Sequence, residues 1–455
     1  MAELTKPEGF RGEFLLPSHP DYDKFREPWN ADHANKKPSV VLLPHGAKDV
    51  QVAIKWIHAN KLEFAVMSGG HSLSGRSIKD GAVLIRLSRM NFVHVDPVER
   101  TAWVGTGATI ADIDAETNAY NLVAVGGQVS HTGVGGFALH GGFGAISRRY
   151  GLAVDNMLAA RVVLADGSLV EASEKENSDL FFAIRGAGSL VGVVTSIKFR
   201  LFPLAEGDLM CSGQAFWLAE SDEDLRERVG AWSKIVDGSS ENLYCTCIWT
   251  TPPPPPFNGR RTFIIHTAWL GDEPMDKAKE KLDAALAPLM AKEPVVNAIG
   301  PKPFSVFNSM QDPFGPFGQA KRATGVSTND CNKLTSVLLE TEKQRPPPSV
   351  YIVEHWGGKA KRPGRAPADD LVHRIRDTFT VLCLGCTHVP EFKQQALDWI
   401  QAFKAKAKEA ELGVAAYVNY TEDNQKPYGE CTDKLVKIKA KYDPDNFFPR
   451  VTGAA

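Results

Sequence analysis

Short apolar runs separated by polar turns fill the first two hundred positions. Val40-Val41-Leu42-Leu43, Phe64-Ala65-Val66, Ala82-Val83-Leu84-Ile85 and Thr101-Ala102-Trp103-Val104 predict strands, as do Arg161-Val162-Val163-Leu164 and the longer run 192–201. Between them, Val50, Ala53, Ile54 and Ile57 recur at helical spacing over 47–59, and a second helix is predicted over 110–121. Asp166-Gly167 between two apolar runs predicts a hairpin turn. Strands and helices mix without strict alternation, so the expected fold class is α+β rather than a doubly wound parallel sheet.

After Pro203 the pattern changes. Amphipathic helices are predicted near 218–236, 273–292 and 390–411, with strand-like runs between them. Pro252 to Pro256 reads as a stiff surface loop, and Lys404, Lys406 and Lys408 as a solvated helix face. In the strand-like run at 351–356, alternation puts Tyr351, Val353 and His355 on one face and Ile352, Glu354 and Trp356 on the other. One set faces a ligand and the other faces helices, and the pattern leaves open which. The division expected is 1–205, 206–414, and a C-terminal segment 415–455 that returns to the first part.

Composition narrows the class. A chain of 455 residues is long enough for more than one core. A net charge of −2 gives no electrostatic reason to expect nucleic acid or an anionic membrane as partner. No run has the apolar length of a membrane span, and the first residues lack a secretory pattern, so a cytoplasmic setting is expected. The seven cysteines are thinly spread. Cys383 and Cys386 have redox-motif spacing but lack a second ligand pair, so they read as buried thiols, with no metal site expected.

Glycine carries the chemistry. It clusters in Ser68-Gly69-Gly70-His71-Ser72, in the run from Gly126 to Gly144, and in Arg185-Gly186-Ala187-Gly188. So many glycines weaken helix and strand alike, and a bound ligand is a simple source of compensating stability. A flat cofactor with a phosphate tail needs close backbone approach along its length, and Gly-rich loops supply it. The Gly-x-Gly-x-x-Ala match beginning at Gly133 has a polar lead-in and a helix-breaking Gly141-Gly142 behind it, which argues against a nicotinamide fold. No Gly-Lys-Ser/Thr follows a Gly-rich turn, which argues against nucleotide hydrolysis.

These runs, with Tyr150 to Asn156, Gly192 to Thr195, Tyr417 to Tyr420 and Lys441 to Phe448, occur in an order that resembles the berberine-bridge-enzyme-like branch of the vanillyl-alcohol-oxidase flavoprotein family. The resemblance implies a two-subdomain PCMH-type FAD-binding domain with an inserted substrate domain, an antiparallel sheet covered by helices. It implies FAD bound covalently through His71. The residues expected around it are Ser68, Gly69, Gly70, Ser72, Gln128, Thr132, Gly133, Gly136, Gly141, Gly142, Gly144, Val194 and Asn419.

Several positions depart from the family pattern. A second tethering cysteine is absent, since the corresponding stretch reads Val129-Ser130-His131-Thr132, and His71 would be the sole anchor. Met67 replaces the usual arginine before Ser-Gly-Gly-His, Phe137 a frequent histidine, and Ser189-Leu190-Val191 the usual bridge. Thr380 aligns with a position where some relatives carry a carboxylate base. The resemblance implies an oxidase that moves hydride from a C–H beside an O–H or N–H of a small secondary metabolite to flavin N5, with dioxygen reduced to hydrogen peroxide. Tyr417, Asn419, Glu354, His355 and Tyr420 are the candidate groups at the chemistry. An oxidative cyclase, a dehydrogenase, a carbohydrate oxidase and an inactive FAD-binding protein stay open.

Overall fold

The early apolar runs become strands whose burial matches their pattern. The computed structural model describes residues 4–204, 209–347, 349–377, 379–387, 389–413, 417–420 and 428–451. β1 (Glu13–Leu15), β2 (Val40–Leu43), β3 (Phe64–Met67) and β4 (Val83–Arg86) form a sheet in the order β1-β2-β4-β3, parallel except at the β1 edge. The crossover from β2 to β3 is α2 (Ala47–Ala59), and α1 (Tyr22–Arg26) lies on the opposite face. β2 is apolar at every position because both of its faces are covered: Val40 and Leu42 pack toward α2, and Val41 and Leu43 toward Tyr22.

The next strands are β5 (Val93–Asp96), β6 (Thr101–Gly105), β7 (Leu122–Val123), β8 (Met157–Val163), β9 (Leu169–Ser173), β10 (Val193–Arg200) and β11 (Phe202–Pro203). An antiparallel sheet runs β5-β6-β10-β8-β9, and β7 pairs with β11. The expected hairpin joins β8 and β9, with Gly167 at a φ of +77°. α3 (Ile110–Asn118) opens on a capping box between Thr109 and Asp112. It stops three residues short of the predicted end, because Asn121 adopts a φ of +56° on entering β7. The Gly-rich run holds only the five-residue α4 (Val134–Ala138); α5 (Ser147–Tyr150) and α6 (Ser178–Ala187) follow.

A third, eight-stranded antiparallel sheet comprises β12 (Leu209–Leu218), β13 (Leu243–Thr250), β14 (Thr262–Trp269), β15 (Val296–Asn297), β16 (Gly300–Pro303), β17 (Ala320–Thr328), β18 (Val350–His355) and β19 (Phe379–Thr387). Its main path is β15-β12-β14-β13-β18-β19-β17, with β16 also on β12. α7 (Asp222–Asp237), α8 (Met275–Met290), α10 (Cys331–Glu342) and α11 (Pro390–Glu409) cover one face, where Trp217, Cys247, Trp249, Ile265, Tyr351, Val353 and Val381 meet Trp232, Leu282, Leu338 and Trp399. The short α9 (Phe304–Ser309) sits on the other side, against α3. That second face turns toward the glycine-rich half: Ile248, Ile264, Ile352 and Leu384 pack with Trp29 and Leu73. The architecture is therefore α+β, a two-sheet domain with an inserted antiparallel sheet layered under helices.

The chain ends on the first sheets again. α12 (Thr432–Tyr442) lies along α6, with Lys439 Nζ donating to Leu190 O at 2.8 Å and the Tyr442 hydroxyl to Asp179 at 2.8 Å. Phe447 stacks on Phe64 with ring centroids 4.8 Å apart. Cys383 and Cys386 are buried on opposite faces of β19, so strand alternation separates them despite their spacing. No group of metal-ligating side chains occurs among the described residues, and no described helix is long and apolar enough to cross a membrane.

Candidate active site

The glycine clusters are explained by how closely three loops approach one another. The loop after β3 and the loop before α4 touch backbone to backbone: a Cβ on Gly69 would run into the Gly133 amide, and one on Gly133 into Gly69 and the Ser68 hydroxyl. Ser68 Oγ donates to Thr106 O at 2.6 Å, and Thr106 Oγ1 to Val194 O at 2.6 Å, so the loops after β3 and β6 and the start of β10 form one stitched floor. Thr132 joins through its carbonyl, which accepts the Ile110 amide at 3.0 Å. Gly136 is exposed, with open space where a side chain would stand. Gly144 fits against Gly126 O without room for a Cβ. Ser72 is spent locally, its hydroxyl accepting the Arg76 amide at 3.1 Å.

His71 lies at the edge of this floor in an aromatic cluster. Its Nε2 hydrogen-bonds His131 Nδ1 at 2.8 Å, its ring stacks on Trp29 at 4.5 Å and 7°, and Phe317 meets it edge-on at 5.9 Å. Trp29 is itself held by Gly70 O and Gly315 O. Lys321 Nζ lies 4.3 Å from the Trp29 ring centroid and donates to three backbone carbonyls. Burial, then the nearby His131, Lys321 and Arg86, push the His71 pKa well below its ordinary value, so the ring is neutral. A neutral imidazole engaged through Nε2 presents Nδ1 as the nitrogen outside that hydrogen bond.

The cation missing at Met67 is supplied by the neighbouring strand. Met67 pairs in register with Arg86 on β4, and Arg86 Nη1 approaches the Gly70 position. Arg86 Nε and Nη1 are sealed from solvent and have no hydrogen-bond partner among the described residues, and burial lowers the Arg86 pKa to about 10. A buried guanidinium without an acceptor is costly unless an anion completes it. A phosphate tail running over the Ser68–Gly70 loop would do so, so these residues fit FAD: Arg86 and the glycine backbones toward its phosphates, His71 toward its ring.

Facing the floor is the polar face of the third sheet. Glu354, 5% exposed, accepts the Tyr420 hydroxyl on Oε1 at 2.8 Å and the Trp356 indole N–H on Oε2 at 2.9 Å. Burial raises its pKa to about 7 despite both bonds. The Tyr417 hydroxyl accepts the Gly142 amide at 2.8 Å and the Asn419 side-chain amide at 2.8 Å, and Asn419 also reaches Phe137 O at 3.4 Å. Tyr417 and Tyr420 meet edge-to-face at 4.7 Å. Gly141, at a φ of +123°, leaves room for the Tyr417 ring, which a Cβ would meet at 3.2 Å. Glu354, Tyr420, Tyr417 and Asn419 thus form one group beside the Gly141–Gly142 turn, while Gln128 accepts the Tyr244 hydroxyl at 2.5 Å.

His355 does not belong to this group. Strand alternation turns it to the opposite face from Glu354, with its ring 5.5 Å from Phe379 and a Cβ on Gly357 2.8 Å from its Cε1. Burial lowers its pKa to about 3. Thr380 sits on β19 directly opposite Glu354, its hydroxyl bonded to Ser327 at 3.0 Å. The site therefore holds a carboxylate one strand over from the position expected to lack it. Trp29, Arg86, His131, Tyr244 and Lys321 are additions that local sequence did not single out as site residues; the nearest signals were the missing arginine at Met67 and the histidine at the expected second tether.

Comparison with known proteins points to the same cofactor. Residues 38–173 match the FAD binding domain model, and residues 416–451 the berberine and berberine-like model. The chain is 29% identical over 430 residues to an FAD-linked oxidoreductase of Dictyostelium discoideum, covering 93% of this chain and 90% of that one. It is 32% identical over 240 residues to (R)-6-hydroxynicotine oxidase of Paenarthrobacter nicotinovorans, covering 53% of this chain and 51% of that one. The crystal structure of 6-hydroxy-D-nicotine oxidase from Arthrobacter nicotinovorans superposes with a TM-score of 0.86 at 24% identity, over 99% of both chains. The chain is similar to FAD-linked oxidoreductases over most of its length, and its C-terminal segment to the berberine-like model. It is an FAD-dependent oxidoreductase.

Proposed function

We propose that the protein is an oxidase of a small secondary metabolite, with FAD covalently attached through His71 as its sole tether and dioxygen as electron acceptor. His71, Arg86 and the glycine backbones would hold FAD, which would supply a hydride acceptor for a substrate C–H and a route for the electrons to dioxygen, with hydrogen peroxide as product. The Glu354–Tyr420 pair carries the reading, because it places a carboxylate poised near neutrality at the end of a proton path. The substrate O–H or N–H gives its proton to Tyr420 Oη as Tyr420 passes its own to Glu354 Oε1. Burial and the Glu354 charge hold the Tyr420 pKa well above its ordinary value, so the tyrosine relays and the glutamate is the net base. Asn419 fixes the Tyr417 hydroxyl, which holds the Gly142 amide and thereby the turn of the floor. His131 orients His71 for attachment.

Acid precipitation of purified protein tests the tether: the pellet stays yellow for the wild type and is colourless for His71→Ala. A colourless wild-type pellet refutes the attachment. Peroxide release with a panel of alcohols and amines tests the oxidase assignment, and flavin reduction without peroxide would make the protein a dehydrogenase.

A further inference from the structure

The face of the third sheet that carries Glu354 holds a transverse row of polar residues. Gln214 on β12 pairs with His266 on β14, and His266 with Thr246 on β13. Continuing the β13–β18 register by one residue brings Thr246 opposite Glu354, which pairs with Thr380, and Thr380 with Ser327. Residues directly opposite in an antiparallel sheet share a face. All six are buried, an unusual run of polar side chains across the inside of a sheet.

Part of the row is already satisfied. Thr380 and Ser327 bond each other, Glu354 holds Tyr420 and Trp356, and Thr246 donates to Tyr244 at 2.7 Å. The other end is not. His266 is 0% exposed, and among the described residues neither of its ring nitrogens nor Gln214 Nε2 beside it has a partner. Gln128 Nε2 is also unpaired, while Gln128 Oε1 takes both the Tyr244 hydroxyl and the Gln311 amide at 2.7 Å, which fixes the side chain. The His266 ring is clamped rather than loose: it stacks on Phe307 at 4.2 Å and 5°, and meets Tyr244 edge-on at 5.9 Å. Buried polar groups of this kind normally have partners; Gln128 and His266 both meet Tyr244, Gln214 is the register partner of His266, and the three together point to a ligand.

We propose that His266, Gln214 and Gln128 form a second recognition point of the substrate site. It binds a hydroxyl or carbonyl oxygen of a neutral, elongated substrate about two strand spacings, ~10 Å, from Glu354. A neutral imidazole offers one donor and one acceptor and the two amides offer donors, which suits an uncharged oxygen rather than a carboxylate or phosphate. No charged group shifts His266; burial alone holds it near a pKa of about 3. Stacked Phe307 and edge-on Tyr244 would flank the flat part of such a molecule. This inference rests on the reading of Glu354 as the reacting end.

The test compares two probes on the FAD-loaded enzyme: 4-biphenylmethanol, and its 4′-hydroxy derivative, whose phenolic oxygen lies at that distance from the benzylic carbon. Binding is read as perturbation of the flavin absorbance. The wild type should favour the hydroxy probe by roughly 10–100-fold. His266→Phe, which keeps the stack on Phe307, and Gln214→Leu should each reduce that preference to about two-fold or less, and His266→Gln should retain part of it. Unchanged flavin content and circular dichroism certify the fold of each variant. Equal binding of the two probes, no binding of either, or a preference that survives His266→Phe overturns the proposal; unpaired groups that merely hold water give the first of these results. A preference seen in binding without flavin reduction by either probe counts against the oxidase reading and leaves the recognition point standing.

Discussion

Glu354→Gln should separate the catalytic value of the carboxyl group from its cost to the fold. Glu354 titrates from an ordinary value of 4.5 to about 7 in the folded protein because it is buried, not because a like charge faces it. That displacement corresponds to roughly 3 kcal/mol between the two protonation states. Its sign follows from proton binding. Between pH 4.5 and about 7 the folded state holds more protons on this group than the unfolded state, so stability falls as pH rises through that window and levels off above it. Glutamine cannot ionise and escapes this loss. It carries a different, pH-independent penalty: Glu354 accepts from both Tyr420 and Trp356, whereas an amide has one acceptor oxygen and turns an N–H toward the second donor, at about 1–3 kcal/mol.

The stability of wild type minus variant should therefore favour the wild type near pH 4.5 and fall by up to about 3 kcal/mol by pH 8, whatever the size of the constant term. Denaturant unfolding at a series of pH values measures it. The rate of flavin reduction in the wild type should rise with pH with an apparent pKa near 7, and the variant should lose this ionisation together with about 10²–10⁴-fold of the rate. A stability difference flat across this range would refute the buried-carboxyl argument, and a variant with wild-type reduction rates would refute Glu354 as the base.

Three further perturbations follow. Arg86→Met removes a guanidinium whose buried Nε and Nη1 have no acceptor among the described residues; the FAD-free protein should gain about 1–3 kcal/mol while FAD affinity falls roughly 10–100-fold, read by thermal unfolding and flavin titration. His131→Leu frees the His71 ring from its fixed hydrogen bond; covalent incorporation, followed as fluorescence of denatured protein on a gel, should slow about ten-fold, and an unchanged rate would remove His131 from the assignment. Arg376→Leu breaks a buried pairing with Asp155 at 2.8 Å and Asp370 at 2.6 Å that ties the segment after β18 to the first domain; unfolding in urea should show a loss of about 3–5 kcal/mol.

What could be read in the sequence was what local backbone geometry dictates. The glycines at 69, 133 and 144 stand where no side chain fits, and that demand is written in the residues themselves. Of the covering helices, α7, α8 and α11 were visible because their apolar stripes repeat within one element, whereas α10 was not predicted. The reach of α3 was overextended because the left-handed turn at Asn121 depends on β7 pairing with β11. Glu354 and His355 both stood as candidates because alternation separates the two faces without saying which one meets the ligand; the helices on the Tyr351 side decide it. Trp29, His131 and Lys321 gather around His71 from three separate loops and strands, and no local pattern links them.

Two departures from the family pattern have the same physical resolution. The arginine absent at Met67 is replaced by Arg86, and the carboxylate absent at Thr380 is matched by Glu354; in each case the substitute is the register partner on the adjacent strand. Opposed side chains in a sheet stand about 5 Å apart on one face, less than the reach of a guanidinium or a glutamate. A charge can therefore move one strand across and still address the same point, while moving far along the chain. What the site requires is a charge at a place on a face, and a one-dimensional motif records only one of the positions able to supply it. The unpaired nitrogens of His266 and Gln214 lie farther along the row that holds Glu354, so that face is the natural place for residues that distinguish one substrate from another on a common flavin floor.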